Sequence, residues 1–243
     1  MTYRTSLMMC VVAVLALAWA APAQAAPTIT DVSVTSGDAH ISFDNPGPLV
    51  GAAVWGHSVT HDGIAFGEWT GLPYGGGNPT KTLGSGVSVT GSTDGNQFYR
   101  VVDSDNWGAN TNDYQYKYMC QPGNREWTLT FNGLSDSETY IFQFGYFYPG
   151  NPAYDHDVTL SAGSATATPH LNYGDLTGPS TNDYDLLTAT VSGATSFQIT
   201  MPGDGNSQNQ LLNAFSVHTP EPATLALLGL GGMGMLLGRR RRR

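Results

Sequence analysis

The sequence predicts an all-β protein, an antiparallel sandwich flanked by an N-terminal signal helix and a C-terminal hydrophobic helix. Three observations carry that expectation. Between Ala26 and Thr219 no apolar pattern is sustained at helical spacing. Short alternating runs rich in Val, Ile, Thr, Phe and Tyr recur instead, separated by clusters of Gly, Asn, Asp and Pro, the pattern of half-buried strands joined by turns. Charged residues make up only 12% of the 243, against roughly 25% in ordinary soluble domains. That excludes a coiled coil, a charged-helix bundle and a disordered polyelectrolyte, while 40% apolar and 11% aromatic residues suffice for a packed core.

In chain order, the first element reads as an export signal. Arg4 supplies the positive start, Leu7 to Trp19 the apolar stretch, and Ala23-Gln24-Ala25 the small-x-small cleavage site. Residues 1–25 are therefore expected to be cut off by signal peptidase. The apolar stretch is short for a membrane span, and Pro22 breaks a helix just before the cut. Cys10 follows Met9, not a small residue, and most of the apolar stretch comes after it, so it does not fit a lipid-attachment site. Its removal leaves Cys120 alone, so no internal disulfide forms, and Cys120 reads as a small core hydrophobe at a strand end.

The body, residues 26–218, carries about a dozen candidate strands. They are Ile29–Val34, Ala39–Phe43, Leu49–Trp55, Gly86–Thr90, Phe98–Val102, Tyr114–Cys120, Trp127–Phe131, Tyr140–Tyr148, Asp157–Ser161, Leu187–Val191, Ser196–Met201 and Gln210–Val217. Tyr140, Phe142, Phe144 and Tyr146 fall on one face, as do Tyr114, Tyr116 and Tyr118, and both sets are expected in the core. Leu134-Ser135-Asp136-Ser137-Glu138-Thr139-Tyr140 resembles the tyrosine corner of immunoglobulin-like and fibronectin-like sandwiches. That resemblance implies that the Tyr140 hydroxyl bonds a nearby backbone group. Gly133-Leu134 to Tyr140, with Leu212-Asn213-Ala214-Phe215 late in the chain, resembles jelly-roll and galactose-binding-like sandwiches. A body of this length favours one jelly roll over a single immunoglobulin-type domain; two smaller sandwiches meeting near Asn124 are the alternative.

The charge of the body limits its partners. Ala26 to Thr219 holds four basic and eighteen acidic residues, a net of −14, which repels phosphate backbones and argues against nucleic acid. His57-Ser58-Val59-Thr60-His61-Asp62 has chelating spacing, but no third ligand is in view and serine follows His57 where a zinc protease needs glutamate. Asp155-His156-Asp157 reads as a solvated turn. No cofactor is called for. A loose Ca²⁺ site using Asp103, Asp105 and backbone carbonyls is the one cation reading, because Trp107 and Tyr114 occupy places where a calcium loop carries ligands.

For catalysis, the nucleophile elbow Gly-x-Ser-x-Gly and the phosphate-binding loop are both missing. Glu68, with Asp62 nearby, is the best carboxylate pair for a secreted glycan-active hydrolase. Sugar binding has the sharper signal, since Trp69, Tyr74 and Trp107 sit in Gly-containing polar segments where an aromatic ring can stack on a sugar.

The last element is the most specific. Thr219-Pro220-Glu221-Pro222 precedes the uncharged run Ala223 to Gly238, and Arg239, Arg240, Arg241, Arg242 and Arg243 follow. Sixteen helical residues span about 24 Å, short but workable against a hydrocarbon core of about 30 Å. The arginines would stay on the cytoplasmic side and leave the acidic body outside. Residues 219–243 thus resemble the PEP-CTERM sorting signal. The resemblance implies that Pro220, Glu221 and Pro222 are read by an exosortase-type membrane protease, that the arginines stop transfer, and that insertion in the inner membrane is transient. The chain is then a substrate, not an enzyme, bound for the cell surface or extracellular matrix, where extracellular polysaccharide is its expected neighbour. A permanent tail anchor is the competing reading.

Overall fold

The computed structural model describes residues 25–37, 43–54, 58–69, 78–93, 99–102, 117–121, 126–147, 154–173, 184–202 and 210–221. Regular structure among them is entirely strand. In chain order the strands are β1 (Thr28–Gly37), β2 (Leu49–Val54), β3 (Val59–His61), β4 (Ile64–Glu68), β5 (Thr80–Thr82), β6 (Ser88–Thr93), β7 (Tyr99–Val102), β8 (Lys117–Gln121) and β9 (Trp127–Asn132). Then come β10 (Thr139–Phe147), β11 (Tyr154–Asp157), β12 (Thr159–Ala162), β13 (Ala165–Ala167), β14 (His170–Tyr173), β15 (Tyr184–Ser192), β16 (Ser196–Met201), β17 (Gln210–Leu212) and β18 (Ala214–His218).

Two sheets dominate. The larger has seven strands in the order β1-β15-β10-β18-β2-β4-β3, and the smaller six in the order β13-β12-β16-β9-β6-β5. A ribbon, β11-β14, and a three-stranded sheet, β17-β8-β7, complete the set. Strands from before and after Asn124 pair with each other in both main sheets, β1 with β15 and β2 with β18 in the larger, β6 with β9 in the smaller. Pairing is antiparallel except between β2 and β4, which run parallel, so the larger sheet is mixed. Both terminal helices expected from the sequence fall outside the described residues, as do residues 39–42 of the expected second strand. Phe43 is not in a strand; it is buried against Phe66, ring centroids 4.9 Å apart. Among the described residues no helix is long and apolar enough to cross a membrane.

The core forms because period-2 alternation turns one side of each strand inward. Along β9, Trp127, Leu129 and Phe131 are buried while Thr128 and Thr130 are half-buried. Phe131 meets Phe142 at 5.0 Å, Phe144 at 5.9 Å and Phe215 at 5.2 Å, all edge-on. These contacts join the smaller sheet to the larger, and edge-on geometry sets each ring's positive rim against a negative face. Tyr140, Phe142, Phe144 and Tyr146 are all buried on one face of β10, as their spacing predicts.

The larger sheet is also covered on its outer face. A second cluster there joins Phe43, Ala52, Val54, Ile64, Phe66, Leu186 and Ala214. β18 is central, between β10 and β2, so all five of its residues are buried. That double burial seats His218, the last strand residue, inside the protein.

The register places many turns at one end, here called the tail pole. Ile141 and Leu49 both lie opposite His218, and Thr139 and Thr28 both lie opposite Ser192. The chain therefore enters β1, leaves β18 and makes the β9–β10 and β15–β16 turns at this pole. Gly193 shows the closeness of the packing: a Cβ there would sit 3.0 Å from the Ala25 and Ala26 carbonyl oxygens.

Candidate functional site

The tail pole is built from turns that lock to one another. Tyr140 opens β10, and its hydroxyl accepts a hydrogen bond from Ser135 N at 3.0 Å while donating to Glu138 Oε2 at 2.9 Å. This is the expected tyrosine corner. Burial raises the Tyr140 pKa, the Ser135 bond opposes that, and Glu138 adds to it. Leu134 is buried beneath the corner, and its N–H reaches Thr195 O at 3.2 Å.

At the exit of β18, His218 is fully buried, and its Nδ1 lies 3.0 Å from Gly47 O. A carbonyl only accepts, so Nδ1 carries the proton. Nε2 is buried without a hydrogen-bond partner among the described residues. Protonating it would bury an unpaired charge, so burial lowers the His218 pKa, with the Gly47 bond opposing. Next in the chain, Thr219 N donates to Pro48 O at 3.0 Å. Gly47 adopts φ +154°, and a side chain there would collide with the Thr219 carbonyl oxygen and come within 2.9 Å of Glu221 N. Glycine is therefore what lets the 219–221 strip lie directly on the 45–49 loop.

A shallow cleft opens on each side of that loop. One, about 450 Å³, is lined by Pro48, Leu49, Ser135, Glu138, Tyr140 and Thr219 among others. The second, about 320 Å³, is lined by Asn45, Gly47, Pro48, Leu49, Ile64 and Glu221 among others. Pro220 and Glu221 are exposed, and Leu49, 42% exposed, is the large apolar side chain most open to solvent among the described residues. Pro222 and Arg239 to Arg243 lie outside the described residues, as does Ala23, whereas Ala25 is described and exposed.

The other candidates fare differently. Trp69 requires a correction: it is 2% exposed, and its ring stands edge-on to Phe215 at 5.9 Å. Trp69 N bonds Val54 O, continuing the β2–β4 pairing by one residue, which turns the indole into the core rather than toward a ligand. Tyr74 and Trp107 lie outside the described residues, as do His57, Asp103 and Asp105. Glu68 ends β4 while Asp62 precedes its start, so the two carboxylates are separated by a strand length of about 16 Å. A glycoside hydrolase needs its pair within about 5–9.5 Å, so these two do not form one.

His61 Nε2 meets Asp62 Oδ2 at 3.2 Å, and that carboxylate also accepts Phe43 N at 2.9 Å. Among the described residues no group of three or more His, Cys, Asp or Glu is placed to hold a metal ion. Asp155-His156-Asp157 is not a turn but part of β11, with His156 buried, because β11 pairs with β14 residue for residue. Sequence reasoning also missed Asp185. It is buried and accepts bonds from Ser36 Oγ at 2.5 Å and Asn172 N at 2.6 Å, tying β14 to β1 and β15. Burial raises its pKa, and those two bonds oppose the rise. Its signal was only a lone acid inside the alternating run of β15.

The last strand of this all-β body runs straight into Thr219-Pro220-Glu221, where the C-terminal tail begins. Residues 218–243 match the family model of the PEP-CTERM protein-sorting motif. That motif implies an exported protein processed by an exosortase-type system, with sorting at a membrane. No curated protein matches the chain.

Three solved structures show partial likeness. An exo-β-1,3-galactanase from Phanerochaete chrysosporium with β-1,3-galactotriose is 18% identical, with a TM-score of 0.31, over 53% of this chain and 27% of its own. The 4-O-methyl-α-glucuronidase BtGH115A is 14% identical, with a TM-score of 0.32, over 50% of this chain and 16% of its own. TmCBM61 in complex with β-1,4-galactotriose is 9% identical, with a TM-score of 0.25, over 54% of this chain and 88% of its own. The chain thus spans only 27% and 16% of the two enzymes.

Proposed function

We propose that this chain is an exported cargo that an exosortase-type protease trims at its C-terminus and displays at the cell surface or in the extracellular matrix. Its body is a jelly-roll-like sandwich with a structural role. The observation that carries this is the tail pole. The buried end of β18 leads directly into Thr219-Pro220-Glu221, with Pro220 and Glu221 exposed. The intact mass of protein recovered from the cell surface tests it. Loss of residues 1–25 and of the arginine-bearing end is the expected result. Protein that keeps Arg239 to Arg243 would instead establish a permanent tail anchor.

A second reading, glycan binding, has one feature in its favour. The chain leaves β4 toward Tyr74 at the pole opposite the tail. On a glycan array, Tyr74→Ala and Trp107→Ala are expected to weaken binding about tenfold or more, since stacking rings carry much of a contact's energy. Trp69→Ala is expected instead to lower stability by about 3–5 kcal/mol, as loss of a core ring does. Silence of the unaltered protein on every glycan leaves the structural role.

A further inference from the structure

We propose that the 45–49 loop is a presentation platform: the folded body holds Thr219–Glu221 in place for the sorting protease, rather than offering it a free linker. The proposal rests on the sorted-cargo reading above. Three contacts define the platform. Thr219 N donates to Pro48 O at 3.0 Å. His218, immediately before it, bonds Gly47 O at 3.0 Å from a fully buried position. The missing side chain of Gly47 leaves the place where Thr219 O, Glu221 N at 2.9 Å and Pro220 C at 3.2 Å would otherwise be crowded.

The strip is held by its backbone, yet the Pro220 and Glu221 side chains are exposed. A concealed segment would show the reverse. Holding the backbone while showing the side chains pre-orders an extended motif, so less conformational entropy is lost when a partner grips it.

The surroundings extend the same surface. Thr219 lines one cleft and Glu221 the other, and both clefts share Pro48 and the exposed Leu49. Whatever reads the motif meets these clefts at the same time, which makes the sorting protease their occupant. Four residues, 219–222, separate β18 from the apolar run starting at Ala223. They reach at most about 14 Å, so a membrane-embedded partner works against the tail pole itself.

The experiment follows full-length protein by pulse-chase in a host that carries the sorting system, with intact mass reporting tail removal. Two variants are compared with the unaltered chain. Gly47→Val places a branched side chain where the strip lies. An inserted flexible Gly-Ser linker of about six residues between His218 and Thr219 leaves both body and motif unchanged but lifts the motif off the loop. Both are expected to lose the tail about tenfold more slowly or worse, as a pre-ordered segment becomes a free one. The linker variant should melt with the unaltered body, so slow processing cannot be blamed on misfolding even if Gly47→Val fails to fold. Processing of the linker variant at the unaltered rate would overturn the platform while leaving the sorting reading intact. An unaltered chain that keeps its tail would bring down both.

Discussion

The ring of His218 sits where a central, doubly covered strand ends, and its chemistry follows from that position. Burial holds its pKa below the ordinary 6.5, so the unfolded chain takes up a proton more readily than the folded one as the pH falls. Stability from this group is therefore complete above the ordinary value and is lost as the pH drops through the lowered one. The slope for one proton cannot exceed about 1.4 kcal/mol per pH unit. Asp185 works in the opposite sense. Its raised pKa gives a contribution present at acid pH and lost as the pH climbs through the raised value. Urea unfolding between about pH 5 and pH 7.5 should show the protein weakening toward acid, and His218→Asn should flatten that trend. An unchanged slope in the variant would mean that another group titrates. Neither residue was legible beforehand. A histidine after Ala214-Phe215-Ser216-Val217 and an aspartate before Leu186-Leu187 carry no sign of burial, because the strands that cover them are distant in sequence.

Among the elements, the turns of the tail pole are where backbone meets backbone. Gly133 and Gly86 have nearly the same conformation, φ +79° and +78°, but different surroundings. A Cβ at Gly133 would collide with Gly86 O, whereas at Gly86 it would meet nothing within 4 Å. Gly86→Ala is thus expected to cost only the left-handed strain, about 1 kcal/mol. Gly133→Ala must also push two turns apart and is expected to cost about 2 kcal/mol or more. Equal denaturation midpoints for the two variants would contradict the nesting of those turns. Elements with long alternating runs were readable from the sequence: Ser196–Met201 matches β16 residue for residue, and Trp127–Phe131 falls one short of β9. The tyrosine corner was readable because its signal is local. Strands such as β5, β13 and β11 were not, since three or four residues rich in Thr, Ala, Asp or His give no period to detect. Their partners, not their composition, make them strands.

In the whole molecule, the chain order of the sheets was the least legible feature. Nothing local in Ala214–His218 says that it will lie between β10 and β2, strands that begin 75 and 165 residues earlier. The sorting tail was the most legible, because its chemistry is contiguous and needs no fold to bring it together. The acidic excess of the body is equally plain in the composition, and its repulsion disfavours self-association and polyanion binding.

The central place of β18 has a mechanical consequence. On the proposed reading, a cargo fixed at its C-terminus and dragged by flowing medium is pulled along the axis of its last strand. The bonds from β18 to β10 and β2 run across that axis, so the tension is shared among them in shear instead of opening them one after another like a zip. A strand at the margin of the sheet, or one peeled from its end, would tear at a fraction of the force.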